Sequence, residues 1–270
     1  MSLTIAALLA SSGLPPLEAQ VLAAHALGLS RARLLAASQR TLDAESVRGV
    51  ERLFLLRRAG EPVAYLTGER EFHGLSLKVT SDVLIPRPET ERLVDLALER
   101  LPNRAGRVLD LGTGSGAIAV AIAHAAPDAE VIAVDASRAA LAVARENARR
   151  HAAAIRFVEG EWFAGVAGER FDLVVSNPPY VAAGDAHLGE GDLRFEPRTA
   201  LVAGPDGLDA IRAIVAGAKA HLVPGGWLLF EHGFDQAERC RSLLGIYGYA
   251  AVSNWPDLAG ITRVAGGRAP

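Results

Sequence analysis

From Glu89 to the C-terminus, apolar runs of strand length alternate with helical stretches, and that alternation leaves few folds open to the chain. The strand-like runs are residues 107–111, 130–135, 155–159, 171–176 and 226–231, and helical patterns occupy 117–126, 139–150 and 206–222 between them. Strands joined by helices run parallel, and a parallel sheet needs cover on both faces. Two late runs, 249–253 and 261–265, are separated by Pro256, Asp257 and Gly260, too little chain for a helix, so they are expected to close the sheet as an antiparallel hairpin. The expected fold class is α/β, a mostly parallel seven-stranded sheet with a C-terminal antiparallel hairpin.

Ahead of this region the pattern differs. Residues 1–60 read as short helices, the first marked by Leu3, Ala6, Leu8 and Leu9. The second covers 16–27, with Pro16 near its start and Gly28 behind it, and the third covers 30–38. The fourth covers 43–59, with Val47, Val50, Leu53, Phe54 and Leu56 on one stripe and Gly60 behind it. This segment carries no evident chemistry, and is either a plain helical bundle or a partner-docking domain. Glu61-Pro62 breaks the helix, and Leu75, Leu77 and Val79 alternate with Ser76 and Lys78 at strand period. Residues 61–88 are therefore expected to be a β-hairpin connector, turning at Gly68 or Gly74, between the helical segment and the α/β domain at 89–270.

Half of the 270 residues are hydrophobic and 22% are charged, so a core forms without disulfide support. Lys plus Arg is 28 against 31 Asp plus Glu, a net of −3. Residues 1–80 hold 9 basic and 7 acidic side chains, a thin surface for tracking phosphates, and direct nucleic-acid binding is not expected. Cys240 is the single cysteine, which excludes an internal disulfide and a Cys-x-x-Cys metal site; no metal is expected. No apolar run reaches the about 20 residues of a membrane span. The uncharged start, Met1 to Leu17, lacks a basic leader and is interrupted by Ser11, Gly13, Pro15 and Pro16, unlike a signal peptide. The expected setting is the cytoplasm.

Two motifs carry the chemistry. Val108-Leu109-Asp110-Leu111 runs into Gly112-Thr113-Gly114-Ser115-Gly116 and then a helix. Glycines there let the backbone turn sharply and approach a ligand. The next strand ends at Asp135, whose carboxylate can accept from both ribose hydroxyls of a nucleoside. Read as Gly-x-Gly-x-x-Ala, the loop also fits a dinucleotide fingerprint. Asp110, just before the loop, would repel a pyrophosphate but welcome a cationic ligand, and the dense Gly-x-Gly-x-Gly form is that of S-adenosylmethionine (AdoMet) enzymes. Trp162 and Phe163 follow the third strand, where an aromatic either flanks an adenine or packs in the core.

The second motif is Asn177-Pro178-Pro179-Tyr180, directly after the apolar strand 171–176. Ligands in open α/β sheets bind beyond the carboxyl ends of strands, so this motif should face the same crevice as the glycine loop. The prolines remove two N–H donors and leave carbonyl acceptors. The Asn177 side chain and the Pro178 carbonyl can together accept both hydrogens of a planar –NH2, with the Tyr180 ring above its plane. A carboxamide nitrogen is a poor nucleophile because its lone pair is delocalised. Accepting both N–H groups returns density to nitrogen, and alignment with an activated methyl carbon supplies much of the remaining barrier reduction. A carboxylate offers such a site nothing to donate.

On these residues the chain resembles the protein-(glutamine-N(5)) methyltransferases of the HemK/PrmC family. Matching stretches include Arg70-Glu71-Phe72, Leu84-Ile85-Pro86-Arg87-Pro88-Glu89-Thr90, the 109–116 loop, Val134-Asp135, Trp162-Phe163 and Ser176-Asn177-Pro178-Pro179-Tyr180. Further on come Gly191-Asp192-Leu193-Arg194-Phe195-Glu196-Pro197 and Glu231-His232-Gly233. The resemblance implies a Rossmann-like class I methyltransferase domain using AdoMet and releasing S-adenosylhomocysteine. It implies as substrate the glutamine of the Gly-Gly-Gln motif of class-1 peptide chain release factors, docked with help from the helical domain. Gly112, Thr113, Gly114, Ser115, Gly116, Asp135, Trp162 and Asn177 would contact the cofactor, and Asn177, Pro178, Pro179 and Tyr180 the glutamine, with Asn177, Pro178 and Tyr180 acting in catalysis. A monomer is expected. The Pro86–Thr90 stretch is expected to line the cofactor pocket, and 194–197 either to cover the site or to form a surface Arg–Glu pair; His232 and Cys240 read as structural.

Three rivals stand beside this reading. An adenine-N(6) or cytosine-N(4) methyltransferase could use the same four-residue pocket but would need a phosphate-tracking surface. A sister enzyme could methylate a ribosomal-protein glutamine. A non-catalytic nucleotide-binding regulator would have no use for Asn177 to Tyr180.

Overall fold

A computed structural model describes residues 3–270, which divide into two units. One holds the chain up to Glu69 together with His187–Phe195; the other holds Arg70–Ala186 and Glu196–Pro270.

The first unit is helical. Its elements are β1 (Leu3–Thr4), α1 (Ile5–Ala10), α2 (Pro16–Ala26), α3 (Arg31–Ala36), β2 (Thr41–Leu42), α4 (Ala44–Arg58) and α5 (Val63–Thr67). Each start has a local cause. Thr4, Ser30 and Asp43 accept the backbone N–H groups of Ala7, Arg33 and Ser46, and Pro16 opens α2 without an N–H to orphan. Ile5, Leu8, Leu22, Leu34, Val50 and Phe54 form the core, and β1 pairs with β2 in a short antiparallel bridge that the residue pattern did not announce. Helix α5 occupies part of the stretch read as a hairpin arm. Pro62 precedes it and Gly68, in the left-handed region at φ 72°, ends it. Residues 187–195 are held inside this unit: Arg57 donates to Glu18 (2.7 Å) and to Asp192 (2.8 Å), and Arg194 donates to the Ala59 carbonyl (2.9 Å).

From Arg70 the second unit opens within a two-stranded hairpin, β3 (Glu69–Phe72) and β4 (Leu75–Lys78), which turns at His73-Gly74. After α6 (Glu91–Arg100) come β5 (Gly106–Leu111), α7 (Ala117–Ala125), β6 (Ala129–Asp135), α8 (Arg138–Arg150), β7 (Ile155–Glu159) and β8 (Phe171–Ser176). Helix α9 (Asp209–Ala218), β9 (Leu222–Glu231), α10 (Ala237–Ile246), β10 (Ala250–Pro256) and β11 (Thr262–Arg268) complete it. The sheet order is β10-β11-β9-β8-β5-β6-β7, with β10–β11 and β11–β9 paired antiparallel and the other pairs parallel. The seven strands, mostly parallel and closed by a C-terminal hairpin, are those expected of the α/β class.

Side chains of one strand serve both faces. Val108 joins Leu93, Val120 and Ile122 under α6 and α7, while Leu109 and Leu111 join Ile211, Ile214 and Leu244 under α9 and α10. The chain leaves β5 toward β6 on one side and returns to β8 on the other, so a crevice opens beyond their carboxyl ends. Gly116, at the start of α7, sits at φ 81°, and an added Cβ would come within 3.0 Å of the Ala144 side chain, so the turn from loop to helix depends on its lacking one.

Buried Asn147 on α8 links the hairpin to that turn. Its Oδ1 accepts the Lys78 N–H (2.7 Å), and its Nδ2 donates to the carbonyls of Lys78 (2.9 Å) and Ser115 (2.8 Å). Asn147→Ala leaves three backbone groups unpaired, at about 1–3 kcal/mol for each that stays dry. A loss of about 2–4 kcal/mol is expected in chemical denaturation. Tryptophan fluorescence reports it, since Trp162, Trp227 and Trp255 all lie in this unit.

Candidate active site

The carboxyl ends of β5, β6 and β8 border a cleft of about 610 Å³. Gly112, Thr113, Gly114, Ser115, Asp135, Trp162, Asn177 and Pro179 line it, joined by Leu84, Pro86 and Thr90 from the stretch before α6 and by Pro197 and Thr199 from the loop after the Asn-Pro-Pro-Tyr motif. Asp110, Gly116, Pro178 and Tyr180, all singled out from the sequence, lie off this lining. Gly116 serves the start of α7, Pro178 is buried, and the Tyr180 ring packs against the core below α9 and α10. Phe163 also turns to that core and stacks on His221 at 4.7 Å, which leaves Trp162 as the aromatic of the pair that faces the cleft. Trp162 holds a left-handed backbone, φ 48°, a conformation that costs of order 1 kcal/mol or more for a bulky residue.

The glycine loop is tied to β6. The Gly112 and Thr113 N–H groups both donate to the Val134 carbonyl, at 2.9 and 3.0 Å. Asp135 accepts from Gly114 (2.8 Å) through one oxygen and from Ser137 (2.8 Å) through the other, and each oxygen keeps a lone pair for a ligand. Asp110, at 0% exposure, accepts the Thr113 hydroxyl at 2.7 Å through Oδ2, while its Oδ1 is buried without a partner. Burial, with a smaller push from the Asp135 charge, raises the Asp110 pKa to about 7. An unpaired buried carboxylate oxygen is a strong acceptor waiting for a cation. A nucleoside joined to a chain bearing an ammonium satisfies both acids at once. Asp135 would take ribose hydroxyls and Trp162 a face of the base, while Asp110, buried off the lining, would favour the ammonium through its charge. AdoMet has these parts, so the residues present fit it.

At the other end of the cleft, Asn177 follows β8, whose last residue, Ser176, donates its hydroxyl to the Leu111 carbonyl (2.7 Å). The Asn177 Nδ2 donates to the Thr90 hydroxyl oxygen at 3.0 Å, and its Oδ1 is buried without a partner. Thr90 donates in turn to Glu231 (2.6 Å), and the Tyr180 hydroxyl donates to the other Glu231 oxygen (3.0 Å). The Tyr180 carbonyl accepts from Gln236 (2.9 Å), which fixes the motif's far end. Glu196 is buried and accepts from the Ile85 N–H (3.2 Å) and from Arg87. The Arg–Glu pair expected within 194–197 therefore does not form; Glu196 pairs with Arg87, because its own neighbour Arg194 bonds Ala59. His232 is buried with Nδ1 beside the Gly233 carbonyl (2.8 Å), and buried Cys240 packs in the core, its thiol pushed up to about 12 by burial.

Sequence reading assigned no task to Glu231 or Gln236 and treated Thr90 as one residue of a pocket-lining stretch. The only signal was Glu231 itself, a carboxylate ending an apolar strand.

Comparison with known proteins agrees with this geometry. Residues 4–68 match the family described as PrmC N-terminal domain, and residues 91–190 match Methyltransferase small domain. A Thermus thermophilus 16S rRNA N2 G1207 methyltransferase, solved with AdoMet and guanosine, superposes with a TM-score of 0.56 at 21% identity over 75% of this chain and 50% of that one, a likeness of fold. A release factor glutamine methyltransferase of Bordetella pertussis is 54% identical over 96% of this chain and 97% of its own length. One of Burkholderia pseudomallei is 54% identical over 99% of this chain and 96% of its own. With relatives at that identity along nearly its whole length, the chain belongs to the release factor glutamine methyltransferase family.

Proposed function

We propose that the chain methylates the side-chain amide nitrogen of the glutamine in the Gly-Gly-Gln motif of class-1 release factors, with AdoMet as methyl donor. The observation that carries this reading is the Asn177 Oδ1, an acceptor buried at the end of the cleft with no partner of its own. A primary amide is the group that such an oxygen takes without leaving a polar atom stranded. The relatives named above support the choice of release factor over the nucleic-acid and ribosomal-protein rivals. We extend the proposal to a monomer acting in the cytoplasm, with the helical unit, which matches the PrmC N-terminal domain, docking the release factor.

When bound, AdoMet supplies a methyl group made electrophilic by its positive sulfur. Asp135 would hold its ribose, with the 112–115 backbone beneath, and Asp110 would favour its ammonium through charge. At the substrate end, Asn177 Oδ1 would accept one N–H group of the glutamine, and the carbonyl of Pro178, a residue buried off the lining, would have to become accessible to accept the other. That grip aims the nitrogen and moves electron density onto it, and orientation of this kind is worth about 7–11 kcal/mol at best. After transfer the nitrogen carries one proton too many for a neutral amide, and the same two oxygens hold it until water takes it. No general base is needed beforehand, since the proton becomes acidic only once the methyl group has been transferred.

Asn177→Ala is expected to leave AdoMet affinity within a few-fold while lowering methyl transfer to release factor by about 100-fold or more, the scale for losing one oriented polar contact to the reacting group. Labelled-methyl transfer to a release factor, to its Gln→Ala form and to an adenine-bearing oligonucleotide checks it; turnover surviving the substitution, or label entering the oligonucleotide, overturns the reading. A second expectation concerns pH. Free Asp110 titrates near 7, and a bound ammonium favours its ionised form, so binding releases a proton. AdoMet affinity should therefore weaken as pH falls below 7, by up to about tenfold per unit. Asp110→Asn should flatten that slope and weaken binding at pH 8 by about tenfold or more, as read by calorimetry in two buffers of different ionisation heat.

A further inference from the structure

A threonine hydroxyl carries one hydrogen, and at Thr90 that hydrogen is committed. It goes to Glu231 Oε2 at 2.6 Å, so Thr90 can offer Asn177 only a lone pair. Asn177 answers with Nδ2 at 3.0 Å, and because the amide is planar, Oδ1 must turn away from Thr90, buried without a partner on a residue that lines the cleft. Glu231 is itself held from both sides, with 1% exposure and its other oxygen taking the Tyr180 hydroxyl at 3.0 Å. Take the carboxylate away and the Thr90 hydrogen is free to point at Asn177. The Asn177 amide can then reverse, and the cleft presents an –NH2 where it had presented an oxygen.

We infer that Glu231, acting through the Thr90 hydroxyl, is a positioning residue that sets the orientation of the Asn177 amide and so makes the substrate pocket an acceptor of amide hydrogens. This rests on the reading of Asn177 Oδ1 as the glutamine acceptor. The relay also decides substrate class. With Oδ1 inward the pocket takes glutamine and turns away glutamate, whose carboxylate has nothing to donate; with Nδ2 inward that preference narrows.

The relay is sensitive to protons. Glu231 is raised to about 7, first by burial, with the Thr90 and Tyr180 hydroxyls and Arg263 of β11 drawing it down and Glu89 beside α6 pushing it up. Arg263 is itself shared with Asp257, 3.7 Å away, and His232 next along β9 is held below its ordinary pKa by burial. Protonated Glu231 becomes a donor toward Thr90, which releases the threonine hydrogen. Turnover should therefore fall on the acid side of about pH 7.

The test uses full-length protein and purified release factor, measured at saturating AdoMet so that Asp110 is already engaged. Thr90→Val keeps the shape and loses the relay. It should lower kcat by about 10–100-fold with AdoMet affinity little changed, and narrow the preference for the Gly-Gly-Gln release factor over a Gly-Gly-Glu form in competition binding by about tenfold or more. Thr90→Ser, which keeps the hydroxyl, should recover most of both losses. Glu231→Gln should remove the acid limb of the kcat–pH profile. AdoMet binding by each variant serves as the check on folding. If Thr90→Val and Glu231→Gln leave the Gln/Glu preference and the pH limb of the parent while Asn177→Ala abolishes transfer, the relay is wrong and the assignment of Asn177 stands. If Asn177→Ala also turns over, both fall.

Discussion

Parallel pairing of β5 with β6 on one side and β8 on the other is the constraint from which the site follows. It sets Leu111 level with Val134 and with Ser176, so the glycine loop, Asp135 and Asn177 all emerge at one edge from three strands far apart in the chain. The flanking cores lock that register. A slip of one residue would turn Leu109 and Leu111 to the face occupied by Val108 and strand both helical layers. The Ser176 hydroxyl on the Leu111 carbonyl pins the same level where the apolar packing ends.

Two carboxyl groups are buried off the cleft lining, and the fold carries both at a cost. Asp110 and Glu231 are each raised to about 7 by burial, so their contribution to stability is complete below about pH 4 and is lost as the pH rises through 7. Near neutrality each is poised between a neutral form that suits the apolar interior and a charged form that suits the ligand. Glu231 has two hydroxyls to soften its charge, whereas Asp110 has one and keeps an unpaired oxygen.

What the residue pattern conveyed and what it withheld divide along chain distance. The glycine loop and Asn-Pro-Pro-Tyr were legible because their chemistry is local: φ freedom, missing N–H groups and carbonyl acceptors belong to the residues themselves. The sheet was legible because burial on both faces leaves apolar runs. Helix α5 was misread as hairpin, since five residues between Pro62 and Gly68 are too few to show a period. The stretch 206–222 read as one helix, but Gly207 at φ 74° delays the start of α9 to Asp209, and a tighter turn replaces its end. The partnerships Glu196–Arg87, Thr90–Glu231 and Tyr180–Glu231 join residues that only the finished fold makes neighbours, and no spacing rule foreshadows them.

The chain's own division has a practical corollary for anyone dissecting it genetically. Residues 187–195 lie, by number, deep within the methyltransferase half, yet their ion pair to Arg57 and their bond to Ala59 belong to the helical unit. They also sit between Tyr180 and the buried Glu196 that braces the cleft wall. A gene from which codons 1–69 were removed would therefore still encode a nine-residue segment whose anchors had been deleted.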